Sequence, residues 1–439
     1  MSNPIDTFIS AFKSHDRELF LSCFTPDGAI EDDDQTLSGA PLEAFFTHGI
    51  VARNAFLKVV DRQSSDNEEV MHVLMDGEFV KDYGIHEPFD LWFRFRLEGF
   101  RIKVMKMSDI DPEKPTMLAA YAAFSNLSSP LEVLRVGPRN VPEPREGWVR
   151  VRLHAVGINY HDIFTLRGIG MQELRFPLIL GNEGAGVLDD GTEVAIYPTI
   201  TSSAPYGDET LDPERSVIGE AEPGTMAECV LVPERNAVPR PEGISAQSAA
   251  VLGIAWLTAY RMLFVKSGMQ EGGLMLVQGS SGGVASALIQ MGAAAGMRVW
   301  ATARSEEKRS FGLQLGAEQV FEPGATLPSK VDAVFDTSGA TTFKHSLESV
   351  RAGGTVVSCG LHSGEDKYVK LNLMRLFTEQ IHLTGVYTGT LQEFKDMMAF
   401  LAEKKVVPHI GMVFPLSKAK EAFEMFMSGD KFGKVVVEM

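Results

Sequence analysis

Apolar side chains recur with two different periods in the first part of this chain. At the start, they follow helical spacing in three short segments: 7–12, 18–24 and 41–48. From Leu57 onward they alternate with polar residues, most clearly in Asp90–Leu97 and, after a turn, in Phe100–Met107. The pattern predicts helices followed by a hairpin of half-buried strands.

A linker is predicted at Asp109–Pro115, where two prolines and four charged residues disfavour both helix and strand. Residues 1–112 therefore form a separate predicted domain. Beyond the linker, the pattern predicts short strands such as Trp148–Val156 and, later, a strand–helix–strand unit. The parts of that unit are Leu274–Gln278, Ser286–Ala295 and Arg298–Thr302.

The turn between the first strand and the helix of that unit is rich in glycine. Gly279 allows a tight turn, Gly282 lets the backbone approach a pyrophosphate, and Ala285 lets the helix pack on the strand. The free N–H groups at the helix start would face the phosphates. The predicted dinucleotide contacts are Gly279, Ser280, Ser281, Gly282, Gly283 and Val284. The alternative is an ordinary glycine-rich turn.

The end of the second strand of the unit predicts which dinucleotide binds. An NAD site carries Asp or Glu there, whereas this chain has Arg304, with Lys308 one turn later. A guanidinium can bind a 2′-phosphate through two N–H groups, so we predict NADPH. Glu306 and Glu307 come too late and are explained by the dipole of the following helix.

Composition narrows the function classes. The chain has 439 residues, a net charge of −17 and three cysteines far apart in sequence. The acidic balance argues against binding to nucleic acid or to an anionic membrane surface. We find no bilayer-spanning apolar run, no signal peptide and no metal-site spacing. A cytoplasmic protein is expected.

The first piece resembles the SnoaL-like, nuclear-transport-factor-2-like family, an α+β cone of helices against a curved sheet. The motifs that carry the resemblance are His15-Asp16, 24–32, Ser38-Gly39 and the closing hairpin. In the ketosteroid-isomerase branch, a carboxylate at the position of Asp32 is the general base, but Phe8 stands where that branch has its tyrosine. A base without an oxyanion donor cannot readily stabilise an enolate.

Two interpretations of the first piece stay open. Asp32 is a candidate catalytic base, or Asp32 to Asp34 form a solvated turn and the domain binds substrate or mediates dimerisation. His48 and His86 are possible pocket residues, although a lone histidine is more often structural.

The second piece resembles the medium-chain dehydrogenase/reductase superfamily. The resemblance rests on the following segments: 148–163, 176–187, 191–195, 224–228, the glycine turn and 432–437. It implies a GroES-like, β-rich catalytic domain at 116–240, completed by about 388–439, with an α/β Rossmann domain at 241–387 between its two parts. Further implied cofactor contacts are Thr258, Ser338, Gly360 and Lys434.

Zinc-dependent members of that superfamily place a cysteine where this chain has Asn159, a histidine where it has Asn182, and usually a third ligand near Ile254. Asparagine and isoleucine are not zinc ligands, so no zinc is expected. Without a Lewis acid, hydride transfer favours an acceptor that is already electron-poor. Asn159 would face the nicotinamide or the acceptor, and Asp162 would order the loop. Tyr160 is a candidate proton donor or oxyanion partner, with simple packing as the alternative.

These inferences predict a zinc-free, NADPH-dependent reductase of an activated C=C bond or a quinone. The fused domain would bind, cyclise or isomerise a related intermediate in a biosynthetic pathway. The alternatives are a metal-free carbonyl/alcohol oxidoreductase and a catalytically silent NADPH-binding scaffold. The expected partners are a small conjugated carbonyl or quinone substrate and a second copy of the chain, as a homodimer.

Overall fold

The computed structural model describes residues 3–32, 35–65, 67–78, 89–170, 173–360 and 368–439. Asp33, Asp34 and His86 lie outside these ranges. The described part of the chain forms two six-stranded sheets, one seven-stranded sheet and two smaller ones.

The N-terminal unit, residues 3–108, consists of one sheet with helices packed on it. Its elements are α1 (Pro4–Ser14), α2 (Arg17–Ser22), β1 (Phe24–Asp32), β2 (Gln35–Ser38), α3 (Ala40–Ala44) with a π-helical continuation (Phe45–Val51), β3 (Phe56–Ser64), β4 (Glu68–Asp76), β5 (Phe89–Glu98) and β6 (Arg101–Ser108). The sheet order is β2-β1-β6-β5-β4-β3. The predicted hairpin is confirmed as β5 and β6, paired antiparallel. The second predicted helix extends too far, because Phe24 already begins β1.

Phenylalanine rings fill the space between the helices and the sheet of the N-terminal unit. Phe8 on α1 is fully buried, and its ring centroid lies within 6.5 Å of five others. Those five belong to Phe12, Phe20, Phe24, Phe93 and Phe95. Asn3 caps α1 by accepting the Ile5 N–H, and Pro4 begins the helix at a position that needs no donor.

The second part of the chain begins with short strands around one helix. Its elements are β7 (Thr116–Ala122), β8 (Leu134–Asn140), β9 (Trp148–Gly157), α4 (Tyr160–Leu166), β10 (Leu178–Ile179), β11 (Ala185–Leu188), β12 (Glu193–Ile196), β13 (Thr199–Ile200), β14 (Ser216–Val217), β15 (Cys229–Pro233) and β16 (Ala237–Pro239). The predicted linker contacts β8, since Asp109 accepts a 2.6 Å bond from Arg139 and Asn140 bonds the backbone of Asp111.

A parallel α/β sheet follows. Its elements are α5 (Ala246–Ala249), α6 (Leu257–Tyr260) between two π-helical turns (Leu252–Trp256, Arg261–Lys266), β17 (Leu274–Gln278), α7 (Gly283–Ala294), β18 (Arg298–Thr302), α8 (Glu306–Gln314), β19 (Gln319–Phe321), β20 (Val331–Asp336), α9 (Ala340–Ser349), β21 (Val350–Ser358), α10 (Leu373–Thr378) and β22 (His382–Gly385). The order is β19-β18-β17-β20-β21-β22. β17 therefore lies where the strand order reverses, and the crevice at its carboxyl end is the place where such sheets bind ligands.

The last segment returns to the first strands of the second part. It comprises α11 (Leu391–Lys404), β23 (Ile410–Pro415), α12 (Ala419–Ser428) and β24 (Lys434–Glu438). β24 pairs antiparallel with β9, so both ends of the second part share one sheet, ordered β16-β12-β11-β9-β24-β23, with β15 also on β9. This return brings residues 429–434 beside the glycine turn, where Gly433 donates its N–H to the carbonyl of Ser281 at 2.9 Å.

Candidate active site

The glycine turn joins β17 to α7 in the predicted manner. Gly279 has φ +108°, a conformation that favours glycine, and its N–H is held by Thr302 Oγ1 at 3.0 Å. A Cβ on Gly282 would meet nothing within 4 Å, so the backbone there is open to a ligand. Gly283 has a packing role, because its Cβ would lie 3.0 Å from the Lys434 stem. Among the described residues, no side chain caps the N-terminus of α7.

The two serines of this turn form hydrogen bonds with neighbouring segments of the chain. The hydroxyl of Ser280 donates to the carbonyl of Lys308 at 2.7 Å, which fixes the turn against α8. The backbone carbonyl of Ser281 accepts a hydrogen bond from the N–H of Gly433. The N–H groups around Gly282 and Gly283, at the open start of α7, therefore carry the phosphate-binding prediction.

Three cations lie on segments next to the glycine turn. Arg304 is exposed after β18, and Lys308 donates from Nζ to the carbonyl of Gly429 at 2.7 Å. Lys431 is 8 % exposed; its Nζ donates to the carbonyl of Phe426 at 2.7 Å. Burial and the charges of Lys434 and Lys308 lower the pKa of Lys431 to about 8. The sequence analysis missed Lys431, although it lies just before the returning strand β24.

The carboxyl ends of β20 and β21 form the other side of the crevice. Asp336 accepts the N–H groups of Ser338 and Gly339 at 3.0 and 2.8 Å, which orders the turn after β20. A Cβ on Gly360 would lie 2.3 Å from the backbone of Thr337, so only glycine allows this approach. A cleft of about 270 Å³ runs along these strand ends. The following residues are among those that line it: Asn159, His161, Thr258, Gly282, Tyr387 and Lys431.

A buried polar cluster closes one wall of the cleft. The Lys434 ammonium donates to the carbonyl of Ile158 at 2.8 Å and to Asn159 Oδ1 at 2.6 Å, and it lies 2.8 Å from Glu183 Oε1. A lysine ammonium has three protons, and these partners use all of them. We predicted a cofactor contact for Lys434. Its stem does lie beside Gly283, whereas its charge is directed at the cluster, so the cofactor contact stays a prediction.

Asn159 is fixed at both ends of its amide. Its Nδ2 donates to Asn182 Oδ1 at 2.9 Å and to Glu183 Oε1 at 2.8 Å, while its Oδ1 accepts from Lys434. Asp162 accepts the N–H groups of Asn159 and Gly181, both at 2.8 Å, and therefore orders this loop as predicted. Burial raises the pKa of the Asp162 carboxyl.

The positions where zinc-dependent members have their ligands hold Asn159, Asn182 and Ile254 here. Asn159 and Asn182 bond each other, and Ile254 contributes only its backbone N–H, donated to Glu183 Oε2 at 2.8 Å. Amide and aliphatic side chains lack the thiolate, imidazole or carboxylate donors that zinc prefers. Across the described ranges, no three His, Cys, Asp or Glu side chains cluster as a metal site would require.

Tyr160 lies at the mouth of the cleft and is 38 % exposed. Its ring meets that of Phe426 edge-on at 5.0 Å, and its hydroxyl lies 3.5 Å from Lys431 Nζ. Burial raises the pKa of the Tyr160 hydroxyl, and the charge of Arg304 offsets only part of this increase. The structure thus groups Tyr160 with the basic side chains near the glycine turn, and its role as proton donor stays a prediction.

Asp32 belongs to the N-terminal unit. It is exposed at the end of β1, opposite Gln35 of β2, and Phe8 belongs to the packed aromatic core. Among the described residues, Asp32 is not one of those that line the cleft. Its role as a base also stays a prediction.

Two family models match the second part of the chain. The alcohol dehydrogenase GroES-like domain matches residues 145–242, and the zinc-binding dehydrogenase model matches 283–403. Quinone oxidoreductase-like protein 2 of Mus musculus is 30% identical over 341 residues, which cover 72% of this chain and 91% of the mouse protein. The chain belongs to the medium-chain dehydrogenase/reductase family.

Further relatives agree with this membership. Acryloyl-coenzyme A reductase of Sulfurisphaera tokodaii is 28% identical over 318 residues, covering 68% of this chain and 95% of that protein. A crystal structure of an NAD-dependent alcohol dehydrogenase superposes with a TM-score of 0.68 at 31% identity, covering 74% of this chain and all of that one. This medium-chain dehydrogenase/reductase is an oxidoreductase. None of its described helices is long and apolar enough to cross a membrane.

Proposed function

We propose that this protein is a zinc-free, NADPH-dependent reductase of an activated C=C bond or a quinone. The buried Lys434–Glu183–Asn159 cluster carries the proposal. It fills the region where zinc-dependent relatives would bind metal with groups that already satisfy one another. Among the relatives, the mouse protein is named for quinone reduction and the Sulfurisphaera enzyme for acryloyl-coenzyme A reduction.

The crevice has the features that a nicotinamide dinucleotide needs. Gly282 is open to a pyrophosphate, α7 begins uncapped beside it, and Lys431 supplies a nearby positive charge. Arg304 lies where the 2′-phosphate of NADPH would need a partner. When bound, the reduced nicotinamide supplies a hydride to the acceptor.

Asn159 acts in this proposal as a positioning residue. Both protons of its amide nitrogen are used by Asn182 and Glu183. It therefore has no free donor for the oxygen on which charge develops during reduction. The cluster instead provides a rigid, preorganised wall against which an acceptor can be oriented. Stabilisation of the developing charge must come from other residues of the cleft.

The N-terminal unit is proposed to bind substrate or to mediate self-association. Phenylalanine rings pack together between its helices and its sheet, and Asp32 lies on the surface. This packing favours a binding or dimerising role over isomerisation.

Turnover assays test the proposed function. The full-length protein is supplied with NADPH and, in turn, with a quinone, an enone, an enoyl thioester and a ketone, while loss of the reduced cofactor is followed. Metal content is measured on the same sample, and a chelator is added in parallel. We expect reduction of a quinone or an enone that the chelator leaves unchanged. One tightly bound zinc per chain, or turnover of the ketone alone, would contradict the proposal.

A further inference from the structure

A histidine–carboxylate pair lies in the cleft, next to the buried Lys434–Glu183–Asn159 cluster. His161 is the second residue of α4, and its Nε2 lies 2.9 Å from Oε1 of Glu220. Glu220 follows β14 and its side chain is only 2 % exposed, whereas that of His161 is 19 % exposed. The Nδ1 of His161 is buried and bonds no group in the described ranges. This nitrogen keeps the hydrogen-bonding capacity that a ligand in the cleft would use.

Tyr387 supplies a second polar group of the same kind. It lines the same cleft, and its buried hydroxyl has no hydrogen-bond partner among the residues that the structure describes. Burial, together with the charge of Glu220, raises the pKa of Tyr387, so the hydroxyl stays a proton donor at neutral pH. Arg215 lies 4.9 Å above its ring. Buried polar groups normally have partners, so two unsatisfied ones in one cleft indicate a polar ligand.

We propose that His161, oriented by Glu220, is the proton donor of the reaction and that Tyr387 binds the same substrate oxygen. This inference rests on the proposed function. As the acceptor gains a hydride at its β-carbon, the C=C electron pair shifts and charge collects on the carbonyl oxygen. That oxygen takes the proton from Nδ1 of the imidazolium, forming the O–H bond of an enol. The imidazole regains a proton from solvent, and the enol becomes the saturated carbonyl compound.

The neighbouring groups support this assignment by exclusion. The protons of the Lys434 ammonium and of the Asn159 amide are already used within the buried cluster. Asp162 accepts two backbone N–H groups. Tyr160 lies beside Lys431, on the side of the glycine turn. A carboxylate behind an imidazole stabilises the imidazolium form and fixes the ring orientation, as in other histidine–carboxylate pairs.

Binding of an oxyanion analogue tests the pair without requiring turnover. The probe is 4-nitrophenolate, added to full-length protein saturated with NADP⁺, and the absorbance of the phenolate reports its affinity. We expect His161→Gln to weaken phenolate binding by about tenfold or more, with a smaller loss for Tyr387→Phe. His154→Gln is the matched control, because His154 is exposed on β9. Equal phenolate affinity in wild type and His161→Gln, or no binding to either, would overturn the proposal.

Turnover then gives an independent readout. With an accepted enone, His161→Gln should lower kcat by about 100-fold or more, which is the usual contribution of a general acid. KM and the affinity for NADPH should change little. Glu220→Gln keeps the hydrogen bond but removes the charge, and it should lower kcat less.

The possible outcomes distinguish a failure of the proton-donor role of His161 from a failure of the proposed reductase function. Phenolate binding that depends on His161, in a protein that reduces no acceptor, would support the oxyanion site and contradict the proposed function. Turnover with unchanged kcat in His161→Gln would contradict the proton-donor role alone. A parallel loss of NADPH binding in His161→Gln would mean a structural role and would also overturn it.

Discussion

The N-terminal unit and the cleft are built on opposite principles. The core of the N-terminal unit consists mainly of apolar side chains, and the ring of Phe8 packs against other phenylalanine rings there. The cleft instead buries an ammonium, a carboxylate and two amides in contact, at a cost in desolvation that apolar residues would avoid. A buried polar cluster that is fully satisfied gives a unique and rigid geometry. The contrast therefore favours the cleft over the N-terminal unit as the place of the proposed chemistry.

Among the predicted changes, removal of the Lys434 ammonium should have the largest effect on stability. Lys434→Met leaves the Glu183 carboxylate buried without its counter-charge, so the free energy of unfolding should fall by about 3–5 kcal/mol. Urea unfolding measures this change, with the exposed Lys420→Met as control. If Glu183→Gln added to Lys434→Met does not recover part of the loss, the ion pair is not its cause.

Truncating the aromatic core of the N-terminal unit should lower the stability of the protein without changing its cofactor binding. Phe8→Ala removes a ring that contacts five others, and the cavity should cost about 3 kcal/mol of unfolding free energy. The affinity of the folded protein for NADPH should stay as in wild type. A matching loss of cofactor affinity would show that the two regions are coupled, for which the Asp109–Arg139 contact offers a route.

Cofactor choice is tested at the end of β18. Arg304→Ala should weaken NADPH by the energy of a charge-assisted hydrogen bond, about 1.5–3 kcal/mol, and leave NADH nearly unchanged. Dissociation constants from cofactor fluorescence measure both. Equal loss for the two cofactors would place Arg304 elsewhere than at the 2′-phosphate.

Lys431 should act on both cofactors. If it faces the pyrophosphate, Lys431→Met should raise the dissociation constants of NADPH and NADH alike, by about tenfold. An anion binds the protonated form, so wild-type affinity should be constant below pH of about 8 and fall as the pH rises above it. Lys308, Lys434 and Tyr160 lie near the Lys431 ammonium, and none of them would reverse the expected fall of cofactor affinity with rising pH. A loss confined to NADPH would assign Lys431 to the 2′-phosphate instead.

Asp32→Asn should have the smallest effect. The side chain is exposed, so stability should change by no more than about 0.5 kcal/mol and NADPH oxidation should be unaffected. Product analysis provides the decisive measurement. A large drop in final product with normal NADPH oxidation would show that the N-terminal unit performs chemistry of its own.

Local patterns predicted the cofactor crevice well. The bounds of β17 and β18 agree with the prediction, and α7 begins three residues earlier than predicted, at Gly283. Glu306 and Glu307 lie in the first turn of α8, as their dipole explanation requires. The pattern failed at Phe24, where an apolar residue with helical spacing begins a strand, because the edge of β6 offers it a partner.

Local sequence accounts for the strand–turn–helix unit, the residues of the glycine turn and the absence of zinc-ligand side chains at Asn159 and Asn182. These features depend on residues close together along the chain, where period and side-chain chemistry act directly. The partners of Lys434 and His161 depend instead on how distant segments pack. Lys434 meets Asn159 across 275 residues, and His161 meets Glu220 across 59. No local period encodes such pairs, because they form only when β24 returns to β9 and the turn after β14 packs on α4.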